Sequence, residues 1–459
     1  NGGLIMDQQD GDTYNVRLNS TSAAAAAALN VTGNATLSHT DGDDQTIELN
    51  NNATFAISGN LTCTFSENDD VDQFFDIDGG TFSTGNNLIA TVTGTGSDHE
   101  LTIEVDGTGV FSVGNDLTIN PQEGDDLEIV LNSNAGTGAQ MSVGRDMIID
   151  KDPDSDAAYM DLHESSVLTV GRDLIIRHSP DGDDELWLGL YDTPTLTVGG
   201  NMELSMDDGN DDGDDLGIDQ DGGTIQVAGN FSMTRSNGDD FYWDQDGGTA
   251  TVDGDYTVTS TNGEAIEITL DGSAQLTVAG QMTLNLVDSD DALLTLNENN
   301  GNGALLTIGA DLYIDHTGTA DDVEVLMNNS ALLSTGGDFR WDHDAANGDY
   351  ARVRLSDDAA GMNIAGDLTL GLLSGPDADD DLDYDQQGGT VTIGGSATFA
   401  HAGGDDLYAH VHNNSTFYVT GDLDFNHTGG DDFKFDQSSN NSWVYVDGDV
   451  NMTDANGGN

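Results

Sequence analysis

Pairs of adjacent aspartates recur along this chain, and their carboxylates could do chemistry. Oxygen ligands from carboxylates and turn carbonyls suit calcium, and paired carboxylates can also act as the acid and base of glycoside hydrolysis. Each pair lies in a short acidic turn, as in "GDDFYWDQDGGT" from Gly238. Eleven pairs share this setting: Asp43 and Asp44, Asp69 and Asp70, Asp125 and Asp126, Asp183 and Asp184, Asp214 and Asp215, Asp239 and Asp240, Asp290 and Asp291, Asp321 and Asp322, Asp380 and Asp381, Asp405 and Asp406, Asp431 and Asp432.

The overall charge limits the possible partners. The 459 residues include 85 acidic and 10 basic side chains, for a formal net charge of -75. Such a chain is too acidic to bind nucleic acid or an anionic membrane. Three explanations of the pairs stay open: specific divalent cations such as calcium, screening by salt, and ordinary solvated turns. Calcium is favoured because the pairs share one register.

The acidic turns belong to an internal repeat. We number each repeat from the polar residue that follows a bend glycine, which we call position zero. It recurs at intervals of 25 to 30 residues, and a glycine lies one or two residues before it every time. The 16 occurrences are Asn34, Asn60, Asn87, Asp116, Asp146, Asp173, Asn201, Asn230, Asp255, Gln281, Asp311, Asp338, Asp367, Ser396, Asp422 and Asp449.

The residues around position zero predict three strands per repeat. Positions +1 and +3 are apolar, with threonine often between them, which is the period-two alternation of a half-buried strand. A second strand precedes the bend, and a third lies between the acidic turn and a glycine-rich turn. Units this short bury a core only by stacking. We therefore predict an all-β parallel β-helix (β-solenoid) of about 16 coils of about 28 residues; the crossover rule favours right-handed winding. A β-propeller fits less well because its blades need about 40 residues and four strands.

The predicted organisation is an N-terminal coil with an alanine-rich insert at 1–33, followed by a continuous repeat array at 34–459. The first segment, "LIMDQQDGDT" from Leu4, resembles the middle strand and turn of internal coils. On that basis we predict a head-to-tail homopolymer. Cys63, the only cysteine, is expected to be a buried small hydrophobe. No run of about 20 apolar residues predicts a membrane span, and the start at Asn1 without a signal peptide indicates a processed form or a fragment.

The phrase V-x-G-[ND]-Φ-T-Φ, where Φ is apolar, has close variants in "VAGNFSM", with serine in place of threonine, and in "VAGQMTL", with glutamine in place of Asn or Asp. With this phrase repeated along it, the chain resembles the β-solenoid stalks of secreted bacterial adhesins of the filamentous-haemagglutinin and autotransporter-passenger type. The resemblance implies export, an extracellular or cell-surface location, and a role in surface attachment or matrix. The calcium-binding nonapeptide G-G-x-G-x-D is not repeated here, so that particular site is not implied.

Histidine and the basic residues give weaker signals. Because the histidine column also holds Phe65 and Met206, it indicates a variable strand end rather than a zinc site. Evenly repeated carboxylates and scattered basic residues, of which only Arg352 and Arg354 stand close together, argue against an enzyme. A polysaccharide-active β-helix enzyme, or a surface module binding cell-surface polysaccharide through tyrosines, is the alternative function. Five residues after position zero the histidines are His39, His178, His316, His343, His401 and His427.

Overall fold

The structure is a computed structural model of the chain. It describes residues 3–9, 13–20, 26–40, 44–67, 72–94, 99–122, 125–133, 138–151, 157–179, 185–207, 215–237, 240–263, 265–289, 291–297, 303–318, 322–345, 350–356, 359–372, 381–402, 406–429, 432–438 and 441–455.

The described residues form an all-β parallel solenoid with three sheets and no helix, as the repeat predicted. Strands that follow the glycine bend form sheet 1, strands that follow the acidic turn form sheet 2, and strands that precede the bend form sheet 3. Along the chain the strands enter sheets 1, 2 and 3 in turn. Sheet 1 contains 17 strands and sheets 2 and 3 contain 16 each, which agrees with the predicted number of about 16 coils. The described residues alone add up to about 13 turns of about 28 residues, because many acidic turns lie outside them.

The chain divides into two compact units, Asn1–Phe231 (unit 1) and Ser232–Asn459 (unit 2). Unit 1 contains β1 (Leu4–Gln9), β2 (Thr13–Asn19), β3 (Ala28–Val31), β4 (Ala35–Thr40), β5 (Asp44–Asn50), β6 (Thr54–Ile57), β7 (Leu61–Glu67), β8 (Asp72–Asp78), β9 (Thr81–Thr84), β10 (Leu88–Gly94), β11 (His99–Asp106), β12 (Val110–Val113), β13 (Leu117–Gln122), β14 (Asp125–Asn132), β15 (Gln140–Val143), β16 (Met147–Asp150), β17 (Ala158–Glu164), β18 (Val167–Val170), β19 (Leu174–His178), β20 (Glu185–Asp192), β21 (Thr195–Val198), β22 (Met202–Asp207), β23 (Asp215–Gln220) and β24 (Thr224–Val227).

A further strand, β25 (Phe231–Ser236), begins at the boundary. Unit 2 contains β26 (Asp240–Gln245), β27 (Thr249–Val252), β28 (Tyr256–Thr261), β29 (Ala265–Leu270), β30 (Gln275–Val278), β31 (Met282–Val287), β32 (Asp291–Leu296), β33 (Leu305–Ile308), β34 (Leu312–Gly318), β35 (Asp322–Met327), β36 (Leu332–Thr335), β37 (Phe339–Ala345), β38 (Tyr350–Leu355), β39 (Gly361–Ile364), β40 (Leu368–Leu372), β41 (Asp381–Gln386), β42 (Thr390–Ile393), β43 (Ala397–His401), β44 (Asp406–His412), β45 (Thr416–Val419), β46 (Leu423–His427), β47 (Asp432–Ser438), β48 (Trp443–Val446) and β49 (Val450–Asp454).

Equivalent residues of successive coils pair in register, so each position of the repeat becomes a file of stacked side chains. In sheet 1, for example, Leu88 pairs with Leu117 in a parallel ladder. The apolar positions of all three sheets face inward, and Cys63 is fully buried among them as predicted. Because equivalent positions often carry the same residue type, large side chains also stack. The ring centroids of Phe82 and Phe111, for example, are 4.9 Å apart.

The bend glycines are required by close approach between coils. A Cβ built on Gly144 would lie 2.1 Å from the carbonyl oxygen of Gly114, and one on Gly171 would lie 2.2 Å from that of Gly144. No side chain fits at such distances. Neither Gly144 nor Gly171 has a positive φ, so backbone freedom does not account for them. Contact with the preceding coil therefore explains them.

The first strand lies elsewhere than predicted. Leu4 of β1 pairs with Ala35 of β4, so "LIMDQQ" belongs to sheet 1, after a bend, and not to the middle strand. The prediction was wrong because aspartate followed by glutamine also ends strands of sheet 2. This local similarity was misleading, since the pairing that decides the sheet is visible only in the structure. In the alanine-rich insert, Ala28 begins β3, while residues 21–25 lie outside the described residues. No helix in the described residues is long and apolar enough to cross a membrane.

Candidate functional site

The structure describes about half of the paired aspartates, and these lie at or next to the start of the strands of sheet 2. Asp215, Asp240, Asp291, Asp322, Asp381, Asp406 and Asp432 are the first residues of their strands, and Asp126 is the second residue of β14. Asp44 and Asp125 also begin strands, but their side chains are not described. The remaining predicted ligands, Asp43, Asp69, Asp70, Asp183, Asp184, Asp214, Asp239, Asp290, Asp321, Asp380, Asp405 and Asp431, lie outside the described residues.

The second aspartate of a pair links one coil to the next. The Asp406 backbone N–H donates to Asp381 Oδ1 at 3.1 Å, and the Asp432 N–H donates to Asp406 Oδ1 at 2.8 Å. The Asp322 N–H donates to Asp291 Oδ1 in the same way, at 3.1 Å. These contacts form the turn ladder. A backbone donor thus faces each carboxylate and offsets part of the repulsion expected between stacked charges.

A second ladder runs through position zero. The Asn60 N–H donates to Asn34 Oδ1 at 3.0 Å, and the Asp338 N–H donates to Asp311 Oδ1 at 2.8 Å. Where position zero is serine, the hydroxyl replaces the carboxylate: the Asp422 N–H donates to Ser396 Oγ at 3.2 Å. We call this the bend ladder.

The bend ladder explains why position zero is Asn, Asp or Ser at all occurrences except Gln281. At the bend, the N–H and the carbonyl of this residue both face the preceding coil. The carbonyl of Asn60 accepts from the Ala35 N–H at 2.8 Å, so the N–H needs an acceptor that the preceding backbone does not supply there. The short polar side chain supplies it.

On the outer face of sheet 2 in unit 1, carboxylates stack on carboxylates. Glu48 of β5 pairs with Asp76 of β8, which pairs with Glu104 of β11. We call these three residues the acidic file. Burial, followed by the charges of Glu48 and other neighbouring acids, raises the pKa of Asp76 to about 6. Burial and Asp106 raise the pKa of Glu104 to about 7. The file therefore holds protons near neutral pH.

In unit 2 the same face carries alternating charge. Glu324 of β35, Arg352 of β38 and Asp383 of β41 are in register, and we call them the mixed file. Arg352 Nη1 lies 3.0 Å from Glu324 Oε1, and its Nε lies 3.3 Å from Asp383 Oδ2. Burial nevertheless raises the pKa of Asp383, with Asp385 adding to the rise and Arg352 opposing it.

Next to the mixed file, Arg354 Nε lies 3.9 Å from Asp385 Oδ2, and His412 Nε2 lies 2.8 Å from Asp385 Oδ1. Arg352 and Arg354 alternate with buried neighbours on β38 and face outward, as the sequence indicated. Sequence reasoning noted the two arginines but did not find their acidic partners, because those lie 28 to 31 residues away in the chain.

A shallow groove of about 170 Å³ lies beside the mixed file in unit 2. Its lining includes Glu267, Asp291, Asp322 and Glu324, with Leu293 between the glutamates. Burial, and then the charges of Asp240 and Asp291, raises the pKa of Glu267. In the part of the chain that the structure describes, no three His, Cys, Asp or Glu side chains are placed to hold a metal ion.

The file five residues after position zero faces the interior, and it holds basic side chains. Lys151 Nζ donates to the Ala157 carbonyl at 2.6 Å, and Arg235 Nε donates to the Asn237 carbonyl at 3.0 Å. Sequence reasoning took this file for a variable strand end and overlooked the lysine and the arginine. Both lie five residues after position zero, like the histidines, and this shared spacing could have revealed them. The buried basic members of this interior file are His39, Lys151, His178, Arg235, His316, His343, His401 and His427.

Buried glutamines close the glycine-rich turns. In the phrase "DQQGGT", Gln386 Nε2 donates to the Gly389 carbonyl at 3.1 Å and to the Thr416 carbonyl of the next coil at 3.1 Å. Gln245 makes the same two kinds of contact, to the Gly248 and Gln275 carbonyls at 3.4 and 3.3 Å. The repeated motif is therefore explained by turn closure and coil stacking.

Comparison with known proteins adds no relative to this description. No protein-family model, no curated protein and no solved structure matches the chain. The resemblance to adhesin stalks therefore concerns the parallel β-solenoid architecture alone.

Proposed function

We propose that this protein is an extracellular structural β-solenoid, a surface fibre, adhesin shaft or matrix component whose task is mechanical. The observation that carries the proposal is the bend ladder, supported by the turn ladder. Both tie each coil to the next through a side chain and a backbone N–H, in addition to the strand pairing. Side chains used in this way at regular intervals serve cohesion between coils, whereas a catalytic centre is a single irregular place.

Divalent cations, calcium in particular, are the proposed partners of the acidic turns. In the turn ladder, Asp381 and Asp406 each give one carboxylate oxygen to a backbone donor, and Oδ2 of Asp406 also accepts from the Tyr408 hydroxyl. A carboxylate has further lone pairs for a cation, and calcium takes six to eight oxygen ligands with flexible geometry. The carboxylate-lined groove beside Leu293 adds further acidic oxygens on the same sheet.

Thermal melting in different ions tests this proposal. A cation that binds only the folded chain stabilises it by mass action, so calcium should raise the melting temperature above its value in magnesium or sodium at equal ionic strength. Asp406→Asn is the matched variant, since the amide keeps an acceptor for the Asp432 N–H but loses the charge. It should show a smaller calcium effect than the native chain. Equal melting temperatures in all three ions would exclude specific sites and leave screening by salt.

Head-to-tail self-association is part of the same proposal and rests on the repetitive architecture. The likeness of the N-terminal segment to a middle strand no longer supports it, because β1 belongs to sheet 1. Light scattering on the same samples, at micromolar concentration with calcium, measures it directly. A monodisperse monomer would argue against a filament.

A further inference from the structure

Two histidines meet inside unit 2 in a hydrogen bond that requires one of the two facing ring nitrogens to be unprotonated. His316 of β34 and His343 of β37 are in register, and both are 0% exposed. Their rings lie 4.7 Å apart, and the two Nδ1 atoms are 2.8 Å apart. His316 Nε2 lies 3.2 Å from the Ser289 carbonyl oxygen. The pair is thus buried and joined to the backbone of the preceding turn.

These contacts assign the protons. A carbonyl oxygen only accepts, so His316 carries its hydrogen on Nε2 and has a bare Nδ1 when neutral. That Nδ1 must accept, so His343 carries its hydrogen on Nδ1 and donates to His316. The Nε2 atom of His343 is then the bare nitrogen, and it is buried with no hydrogen-bond partner among the described residues.

A proton added to either ring is unfavourable in this arrangement. On His316 Nδ1 it would place two N–H groups against each other at 2.8 Å. On His343 Nε2 it would create a buried charged donor without an acceptor, which is costly. Burial lowers the pKa of His316 to about 4, with the Ser289 hydrogen bond opposing the shift. Burial, and then the charge of His316, lowers the pKa of His343 to about 3.

The surroundings offer no compensating negative charge in the described interior. Leu286 and Leu372 flank the pair in the same file, on β31 and β40. The sheet 2 strands that follow across the acidic turns, β35 and β38, bury Val323 and Ala351. Asp342, next to His343 in the chain, is buried, but it lies on the outer face of the sheet, where it pairs with Arg340. The other described charged residues of these strands and turns are exposed or alternate outward: Asp288, Asp291, Asp315, Asp322, Glu324, Arg340, Asp344, Arg352 and Arg354.

We propose that the His316–His343 pair is an acid-sensitive element, and that the coils of β34 and β37 open more often as the pH falls through the ordinary range of histidine titration. In the open coils both rings reach water and take up protons with ordinary affinity, about pKa 6.5. In the closed coils they stay neutral. The contribution of the histidine pair to the stability of the closed coils is therefore complete above pH 6.5. It is lost as the pH falls from there toward 4 and 3. This inference does not depend on the proposed structural function.

Hydrogen exchange of the full chain, read by mass spectrometry on peptides covering β34 and β37, tests the proposal. After correction for intrinsic exchange rates, the opening equilibrium should rise on the order of 10²- to 10³-fold between pH 7.5 and 5. In His316→Leu/His343→Leu this rise should disappear. Leucine is the matched replacement because Leu286 and Leu372 occupy the same file on both sides. The control His410→Gln/His412→Gln removes two partly exposed histidines and should behave like the native chain.

An equal rise in the double leucine variant, or no rise in the native chain, would overturn the proposal. A second measurement needs no variant: exchange of the imidazole C2 hydrogen reports the titration of each histidine in the native chain. His316 and His343 should show no titration between pH 8 and 5. Ordinary titration of both rings in that range would equally refute it.

Discussion

The acidic file of unit 1 and the mixed file of unit 2 occupy the same face of the same kind of sheet. The repulsion between their stacked carboxylates is nevertheless reduced in different ways. Glu48, Asp76 and Glu104 stack without a cation between them, although Arg17 Nη2 lies 2.9 Å from Glu48 Oε1 at one end. In the mixed file, Arg352 stands between the two carboxylates. The difference is one of placement, since each unit has five of the ten basic residues: Arg17, Arg145, Lys151, Arg172 and Arg177 against Arg235, Arg340, Arg352, Arg354 and Lys434.

This contrast separates two ways of neutralising a file. Where a guanidinium lies between carboxylates, the neutralisation is permanent, because arginine stays protonated at all relevant pH values. Where only carboxylates stack, protonation is what neutralises them. The pKa values of Asp76 and Glu104 are accordingly raised to about 6 and about 7. The acidic file is therefore sensitive to pH, while the mixed file depends on one side chain.

The largest effect is expected from removing that side chain. Arg352→Ala leaves Glu324 and Asp383 on the same file without the intervening cation, and we expect unit 2 to lose about 2 kcal/mol of local stability. Hydrogen exchange on β35, β38 and β41 measures it. Lys434→Ala is the control, because Lys434 is half-exposed and its Nζ lies 3.7 Å from Asp436. A loss no larger than that of the control would show that the mixed file does not depend on Arg352.

A smaller effect, of opposite sign, is expected from converting the acidic file into a mixed one. Asp76→Arg would place a cation between Glu48 and Glu104, and we expect unit 1 to gain about 1 kcal/mol at pH 7. Exchange protection of β5, β8 and β11 is the readout. Asp207→Arg, at the exposed end of β22, makes the same change of net charge outside the file. Equal gains in both variants would assign the effect to net charge.

The smallest effect concerns pH in the native chain. The folded acidic file holds protons more tightly than the unfolded chain, so its contribution is complete at low pH and is lost as the pH rises through about 6 and 7. Protection of β8 and β11 should therefore increase as the pH falls from 7.5 to 5, by less than about 1 kcal/mol, since both side chains are partly exposed. Asp76→Asn should reduce this dependence. Protection that falls with acid in β8 and β11 would contradict the assignment.

The sequence was sufficient for the architecture, because the period-two pattern and the repeat act locally. Position +3 is apolar in every coil, so the inward face of sheet 1 could be read directly from residues such as Leu37 and Cys63, both fully buried. The shared register of the paired aspartates was also visible, and the described ones do begin strands of sheet 2. Their affinity for calcium stays a prediction.

The features that the sequence did not predict depend on contacts between coils. The partners of Arg352 follow from which outward residues share a file, and coil lengths of 25 to 30 residues prevent that from being read by simple counting. Buried Lys151 and Arg235 contradict the usual rule that such residues stay in water, so a rule based on polarity assigns them to the surface. The position of β1 was missed because local likeness outweighed a pairing that only the fold reveals.

The bend ladder has a direction. The Asn34 side chain accepts from Asn60, and the Asp311 side chain accepts from Asp338, so the acceptor always belongs to the earlier coil and the donor to the later one. A coil joining on the carboxyl-terminal side finds an oxygen already fixed for its bend N–H. A coil joining on the amino-terminal side must instead bring its own oxygen to a donor that is already in place. The two ends of a growing stack are thus chemically different templates, and the order in which a chain leaves the ribosome, amino terminus first, matches the end that presents acceptors.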